Sequence, residues 1–158
     1  MIQRIQTVYL LALIVCAVCL FFIPISSVSS AGAAVNRVSV LHVNSVKVFE
    51  NNEAHVTTPV YDLLVVNVAI ILLAALTIVL FKKRKLQLML CRLLMVMIIV
   101  LVLLAFRNTD ALSADEGGVK AIYQAGAYMV VVSLLFVYLA MRGIKNDEDF
   151  IRSSERLR

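Results

Sequence analysis

The chain has 158 residues, of which 62% are hydrophobic and 16% are charged, and its mean hydropathy is +0.95. Soluble domains are nearer half apolar and a quarter charged, so this composition excludes a disordered chain, a nucleic-acid-binding tail and most soluble enzymes as descriptions of the whole chain. The formal net charge of +5 matters less than its distribution. The length allows one compact unit, and we expect residues 1–158 to form a single integral membrane domain.

Four apolar segments are each long enough to cross a bilayer as a helix, because a hydrocarbon core of about 30 Å needs roughly 20 apolar residues. The segments cover residues 5–25, 60–81, 86–106 and 121–141. The first one is longer than the apolar core of a signal peptide, and we interpret it as an uncleaved signal anchor, with a cleaved signal peptide as the alternative. The predicted fold class is an all-α membrane protein, a bundle of four transmembrane helices with a small antiparallel β-sheet in the first outer loop.

The outer loop, residues 26–59, opens with the small residues Ser26–Ala34, which we expect to be flexible. Between Val38 and Val48, β-branched residues then alternate with polar ones, a pattern typical of strands. Asn51–Asn52 predicts a turn, and His55–Thr58 can return as a further strand. We therefore expect two or three antiparallel strands. Four helices with a strand-rich first outer loop give a claudin-like layout, an analogy of architecture alone.

Basic residues predict the orientation, since Lys and Arg concentrate on the cytoplasmic side. One side, with the termini, the junction of the second and third segments and Arg92, holds eleven basic and four acidic residues. The other side, with the two remaining loops and Asp62, holds four basic and six acidic ones. A net charge of +7 on one side against −2 on the other predicts cytoplasmic termini and outer loops. The run Lys82–Lys85 is then a topology signal that also contacts anionic headgroups, and we expect no nucleic-acid partner.

The cytoplasmic tail, residues 142–158, carries charges at helical spacing, such as Glu148 and Arg152. One interpretation is an amphipathic helix that lies on the membrane or binds a cytosolic partner. The other is a solvated continuation of the fourth span, and the thin apolar stripe leaves both open.

The sequence lacks the residue sets that carry common chemistry, such as a Ser/His/Asp set, a zinc-binding helix or a Gly-rich phosphate loop. We expect no enzyme activity and no cofactor. His42 and His55, with Glu50 and Glu53 nearby, match no standard zinc spacing, so no metal site is predicted. The cysteines are Cys16, Cys19 and Cys91, which we expect to be free apolar thiols.

Polar residues within the spans define two candidate sites. One is an outer-leaflet cluster, in which Asp62 and Arg107 can pair; it either lines a small cavity or, as we favour, joins helices. The other is a set of cytoplasmic arginines that bind headgroups or a partner protein. The cluster comprises Asp62, Asn67, Arg107, Gln124 and Tyr128, and the arginines are Arg4, Arg92, Arg142, Arg152 and Arg156.

Both ends of the chain resemble a known family, the small membrane proteins of Bacteroidota that share domain of unknown function 4293. The resemblance rests on MIQRIQTVYL at residues 1–10, RGIKNDEDFIRSSERLR at 142–158, and KKRKLQ with CRL at 82–87 and 91–93. It implies a four-span inner-membrane protein of a Gram-negative bacterium, and it implies no activity. Its features fall on Gln3, Arg4, Gln6, Arg92, Arg142 and the tail, where we expect a partner to bind.

Three classes of function follow from these observations. We favour a non-enzymatic accessory or scaffold subunit of a bacterial envelope complex, embedded in the lipid bilayer. The alternative is a small carrier or lipid-binding membrane protein that uses an outer-leaflet polar cavity. Continuous spans count against a carrier, because transporters commonly use broken helices. A membrane enzyme is the third class, disfavoured by the missing catalytic sets.

Overall fold

A computed structural model describes residues 3–31, 36–50, 53–80 and 84–156, with side chains described at 6–30, 37–50, 57–80 and 86–146. These ranges contain four helices and five strands. In chain order they are α1 (Gln3–Cys19), β1 (Ser26–Ala31), β2 (Asn36–Leu41), β3 (Ser45–Glu50), β4 (Glu53–Pro59), α2 (Tyr61–Val79), α3 (Arg84–Asp115), β5 (Ile122–Tyr123) and α4 (Ala125–Arg156).

The helices form a bundle in which α1 packs on α2, α2 on α3, α3 on α4 and α4 on α1. Leu13, Leu63, Ile98 and Val137, one from each helix, are almost completely buried in the bundle interior. The opposite faces carry large exposed apolar side chains, as a bundle surrounded by lipid requires. Three helical segments are long and apolar enough to cross a membrane, at Tyr61–Val79, Leu86–Asp115 and Ala125–Asn146. The chain is therefore a membrane helical protein with a small sheet.

The first apolar segment differs from the expected span at 5–25, because α1 ends at Cys19 and its apolar part is only Gln6–Cys19. Beyond Cys19 the backbone tightens, with the N–H groups of Phe21 and Phe22 donating to carbonyls three residues earlier. Pro24 cannot continue a helix, and the Ile25 N–H donates to the Leu41 carbonyl at 2.8 Å. Pro24 and the pairing with β2 therefore end the helix, although the apolar composition up to residue 25 would allow a longer one.

The sheet is larger than predicted, with five antiparallel strands in the order β4-β3-β2-β1-β5. Ser26–Ala31 forms β1 instead of a flexible stretch, because it pairs with β2 along its whole length, from Ser26 opposite Leu41 to Ala31 opposite Asn36. The fifth strand comes from the loop between α3 and α4, where Ile122 and Tyr123 pair with Ser27 and Ser26. The predicted turn at Asn51–Asn52 lies outside the described residues.

The sheet covers the end of the bundle where α1 and α3 end and α2 and α4 begin, which we call the sheet end. Leu41 and Val46 point from the sheet into the core that the helices share. We call the opposite end, where α2 ends and α3 begins, the basic end, since the sequence between these two helices and into the first turn of α3 contains the run Lys82–Lys85.

Two of the helices extend beyond the spans predicted from the sequence. The apolar part of α4 ends at Asn146, but the helix continues without a break to Arg156. The tail is thus a continuation of α4 at the level of the backbone, and the side chains beyond Asn146 lie outside the described ones. At the sheet end α3 runs on to Asp115, where it contacts β1 and β2. The sequence predicts that the third span ends at residue 106, and α3 is longer because its last turns pack against the sheet.

Candidate functional site

Asp62 is the centre of a polar group at the sheet end. Arg107 Nη2 lies 2.6 Å from Asp62 Oδ2, so the expected pair between α2 and α3 forms. Asn108 Nδ2 donates to the same oxygen at 2.9 Å, and the Leu63 N–H donates to Asp62 Oδ1 at 2.9 Å. The carboxylate also lies in the first turn of α2, where the helix dipole favours a negative charge. Both carboxylate oxygens therefore have donors within the protein.

Asn67 lies apart from Asp62, although both were predicted to share one cluster. Its side chain is fully buried, and its Nδ2 donates to the Ala17 carbonyl in α1 at 3.0 Å. Ala17 lies in the last turn of α1, where backbone carbonyls lack the regular helical donor. Asn67 thus joins α2 to the end of α1. Its Oδ1 is buried and has no hydrogen-bond partner among the described residues.

Gln124 joins the beginning of α4 to the sheet. Its Nε2 donates to Ser27 Oγ at 2.9 Å, and its backbone N–H donates to the Ile25 carbonyl at 2.9 Å. The start of α4 also lies close to the segment before β1, because the Gly126 N–H donates to the Pro24 carbonyl at 3.0 Å. A Cβ at Gly126 would lie 2.5 Å from that carbonyl oxygen, so a side chain does not fit without movement of the backbone.

Two hydroxyl contacts that the sequence analysis missed fix the sheet to α3. Ser26 Oγ and Thr109 Oγ1 lie 2.8 Å apart in a buried position, and Thr109 Oγ1 is also 2.8 Å from the Ala105 carbonyl. Further out, Ser39 Oγ donates to Glu116 Oε1 at 2.8 Å. Serine and threonine are too common in loops to be singled out from sequence, whereas Asn108, directly after Arg107, could have been considered.

Tyr128 takes no part in the described contacts of Asp62, Asn67 and Gln124. It lines an apolar cavity of about 250 Å³ between α3 and α4. Phe106 and Tyr123 form one wall, with ring centroids 5.4 Å apart at an interplanar angle of 70°. Burial raises the pKa of the Tyr123 hydroxyl, and the Asp110 carboxylate adds to the rise. Apolar and aromatic side chains line this cavity, and Tyr128 is the one residue of the predicted cluster among them. The five predicted cluster residues therefore do not line one common polar space.

At the basic end, Arg92 and Arg142 are exposed side chains on α3 and α4. Arg92 lines an apolar groove between α2 and α3 with a volume of about 460 Å³. The side chains of Arg4, Arg152 and Arg156 lie outside the described ones. Gln6 is buried against α4, where a Cβ at Gly143 would lie 3.1 Å from Gln6 Cγ.

The histidines and cysteines lie away from these contacts, with His42 in the turn between β2 and β3. His42 is half-buried, and burial, with a contribution from Lys47, lowers the pKa of its imidazole, which favours the neutral ring. The side chains of His55 and Glu53 lie outside the described ones. Cys16, Cys19 and Cys91 are free thiols.

Most described polar contacts at the sheet end connect one secondary-structure element to another. Asp62 links α2 to α3, Asn67 links α2 to α1, and Gln124 links α4 to β1. A nucleophile next to a general base, the usual core of a hydrolytic site, does not occur among these contacts of the described residues. The arrangement can hold a sheet rigidly on a helical bundle, and the groove and the cavity offer apolar surfaces beside it.

Comparison with known proteins agrees with the resemblance seen at the two ends of the chain. No curated protein matches the chain. The sequence profile of a family described as "Domain of unknown function (DUF4293)" matches residues 2–157, which is nearly the whole chain. The protein therefore belongs to the DUF4293 family.

Proposed function

We propose that this protein is a non-enzymatic accessory or scaffold subunit of an envelope complex in the bacterial inner membrane, crossing the bilayer four times with both termini in the cytoplasm. The observation that carries the proposal is the uninterrupted helix α4, which leaves the apolar bundle as a single rod. Its partner would be a membrane or cytosolic protein that binds this rod.

The pairing of β1 with β5 supports four passes. β1 follows α1 after a short turn, and β5 directly precedes α4, so both helices meet the sheet at one end of the bundle. Although α1 is short, its outward face is apolar: Val8 is 62% exposed and Leu11 is 55% exposed. A helix of 17 residues is about 26 Å long at 1.5 Å per residue, close to a hydrocarbon core of about 30 Å. With the turn that follows, α1 is suited to cross as well.

The length of α4 supports docking at the basic end. Its 32 residues correspond to about 48 Å, whereas a hydrocarbon core is about 30 Å thick. Residues 147–156 follow the apolar segment Ala125–Asn146 and correspond to about 15 Å of further helix. This part carries Arg152 and Arg156 one turn apart. Arginine pairs with carboxylates through two parallel hydrogen bonds, so an acidic surface of a partner fits it.

The experiment is recovery of the tagged protein from its native membrane in nanodiscs, followed by mass spectrometry. We expect a stoichiometric protein partner with the natural chain, and a several-fold lower recovery with the double variant Arg152→Lys and Arg156→Lys, since Lys keeps the charge but not the bidentate geometry.

The matched control is Arg37→Lys, an exposed arginine in β2 at the opposite end of the bundle. It should leave recovery of the partner unchanged, and all variants should insert and melt like the natural protein. Equal recovery with the double variant, or no stoichiometric protein partner with the natural chain, would contradict the scaffold proposal.

A second candidate function rests on the apolar cavity beside Tyr128. A lipid-binding protein would place an acyl chain there, at the depth of the outer leaflet, instead of in the polar space predicted from the sequence. Recovery of one lipid species with the purified protein, lost on Ala127→Phe, which fills the cavity, would favour this function over the scaffold.

A further inference from the structure

We infer that the groove between α2 and α3 at the basic end binds one anionic phospholipid, with an acyl chain along the groove and the phosphate at Arg92. This inference is independent of the scaffold proposal, because it concerns a different face of the molecule and a lipid instead of a protein.

The groove has the shape and chemistry of an acyl-chain site. Leu76 and Leu80 form the α2 wall, and Met89, Leu93 and Val96 form the α3 wall. The α3 residues recur at spacings of four and three, so they form one continuous stripe along the helix. Met89 is 68% exposed and Val96 is 55% exposed, and both lie in the apolar span Leu86–Asp115. The groove is therefore open to the bilayer along its length.

Arg92 supplies a positive charge that forms no ion pair with an acidic side chain among those that the structure describes. It is the one charged side chain among the described residues that line the groove. The sequence contains no Asp or Glu between Asp62 and Asp110, both of which lie at the sheet end, and none within α1. On α4 the first acidic residue after the apolar segment is Asp147. A cation in an apolar span needs an anionic partner, and a lipid phosphate is the one that the bilayer supplies.

The direction of the side chain places the guanidinium correctly for a phosphate. Arg92 lies six residues, or about 9 Å, inside the apolar segment that begins at Leu86. Side chains on an α-helix tilt towards its N-terminus, which for α3 is the basic end, so Arg92 extends towards the headgroups of that leaflet. A phosphate accepts two parallel hydrogen bonds from a guanidinium. Because Arg92 lines the same groove as the apolar side chains, one phospholipid can place its phosphate at Arg92 and an acyl chain along the groove.

A lipid fits this groove better than a transmembrane helix of a partner. Helices associate in membranes mainly through small residues that let their backbones approach closely. None of the described residues that line this groove is Gly, Ala or Ser. Flexible acyl chains, in contrast, adapt to the uneven surface that Leu and Met side chains form.

The test uses the absence of tryptophan from the sequence. Met89→Trp then introduces a single fluorophore in the groove wall, at a position that lipid already contacts. The protein is reconstituted at low density in vesicles of mixed phosphatidylglycerol and phosphatidylcholine, with bromine on the acyl chains of either one lipid or the other. Quenching of the tryptophan by each brominated lipid gives their relative association constant at the groove.

The matched control is Tyr138→Trp on α4, which is outside the residues that line the groove. Tyr138 is 49% exposed and lies one turn from Arg142, so it keeps a nearby arginine without the α2–α3 groove. We expect the preference for phosphatidylglycerol at the groove to exceed that at the control by about fivefold, the ratio that corresponds to about 1 kcal/mol. Adding Arg92→Gln to Met89→Trp should abolish this excess, and Arg92→Lys should retain most of it.

An equal preference at the two positions would overturn the inference, since Arg92 would then attract lipid no better than any surface arginine. So would an excess that survives Arg92→Gln, or a groove that neither brominated lipid can quench because a protein surface covers it. The comparison of Met89→Trp with Tyr138→Trp keeps Arg92 in both proteins. It therefore decides the question even if Arg92→Gln does not insert.

Discussion

At the residue scale, Asp62 and Arg107 contribute unequally to the sheet end. Asp62 accepts hydrogen bonds from Arg107, Asn108 and the Leu63 backbone. Among the described residues, the Arg107 side chain donates to Asp62 alone. Arg107 is also 68% exposed, so water solvates its guanidinium when the partner is lost. The carboxylate is thus the organising group, and the guanidinium is one of its donors.

We predict that Asp62→Ala lowers the melting temperature in detergent more than Arg107→Ala does, because it removes three contacts instead of one. The double variant should lose less stability than the sum of the two single losses, with a coupling energy of about 0.5 kcal/mol, as for other exposed pairs. Thermal unfolding of the four proteins measures this coupling. Strictly additive losses would show that the two side chains do not stabilise each other.

At the element scale, the junction between α1 and α4 depends on the close approach of two backbones. Gly126, in the first turn of α4, donates its N–H to the Pro24 carbonyl just after α1, and nothing larger than a hydrogen fits between them. A small residue early in a span is usually read as a helix–helix contact. Gly126 instead lets the first turn of α4 pack directly against the segment that joins α1 to β1.

We predict that Gly126→Ala destabilises the protein by about 1–3 kcal/mol, the usual cost of forcing a methyl group into a packed site. The control is Gly143→Ala on the same helix. A Cβ there would meet the flexible Gln6 side chain at 3.1 Å instead of a backbone carbonyl, and alanine also favours helix formation. Thermal unfolding should show a clearly smaller loss, or a gain, for the control. Similar losses at both positions would contradict this account.

At the scale of the whole molecule, the sheet and the basic run mark opposite ends of the bundle. The sheet end carries acidic groups such as Asp62 and Glu116, and the basic end carries Lys82–Lys85 and the tail arginines. This charge asymmetry predicts which side of the membrane each end faces.

We predict that Ser30→Cys in β1 reacts with a membrane-impermeant maleimide added to intact cells, whereas Ser154→Cys in α4 reacts only after the cells are opened. The reason is the excess of Lys and Arg at the basic end, which holds that end in the cytoplasm. The natural chain is the control for labelling of its own three thiols. Neutral residues at Lys82–Lys85 should give mixed orientations, and labelling of Ser154→Cys in intact cells would contradict the topology.

The sequence by itself determined the helical membrane class, the existence of a sheet between the first two helices and the charge asymmetry. These features depend on composition, on local periodicity and on the length of apolar runs, which are properties of contiguous residues. The pairing of Asp62 with Arg107 was also accessible, since both are charged residues at the same ends of adjacent spans.

Tertiary contacts alone decided where α1 stops, that Ser26–Ala31 is a strand, and that Ile122 and Tyr123 complete the sheet. A serine-rich segment has little strand propensity, and it is a strand here because β2 pairs with its whole length and β5 pairs with Ser26 and Ser27. Asn67 illustrates the same limit within the candidate site. Its type and depth suggested a member of the Asp62 cluster, but its amide binds the Ala17 carbonyl, which lies 50 residues away in the chain. A hydrogen bond between residues so far apart leaves no mark on the local pattern of either.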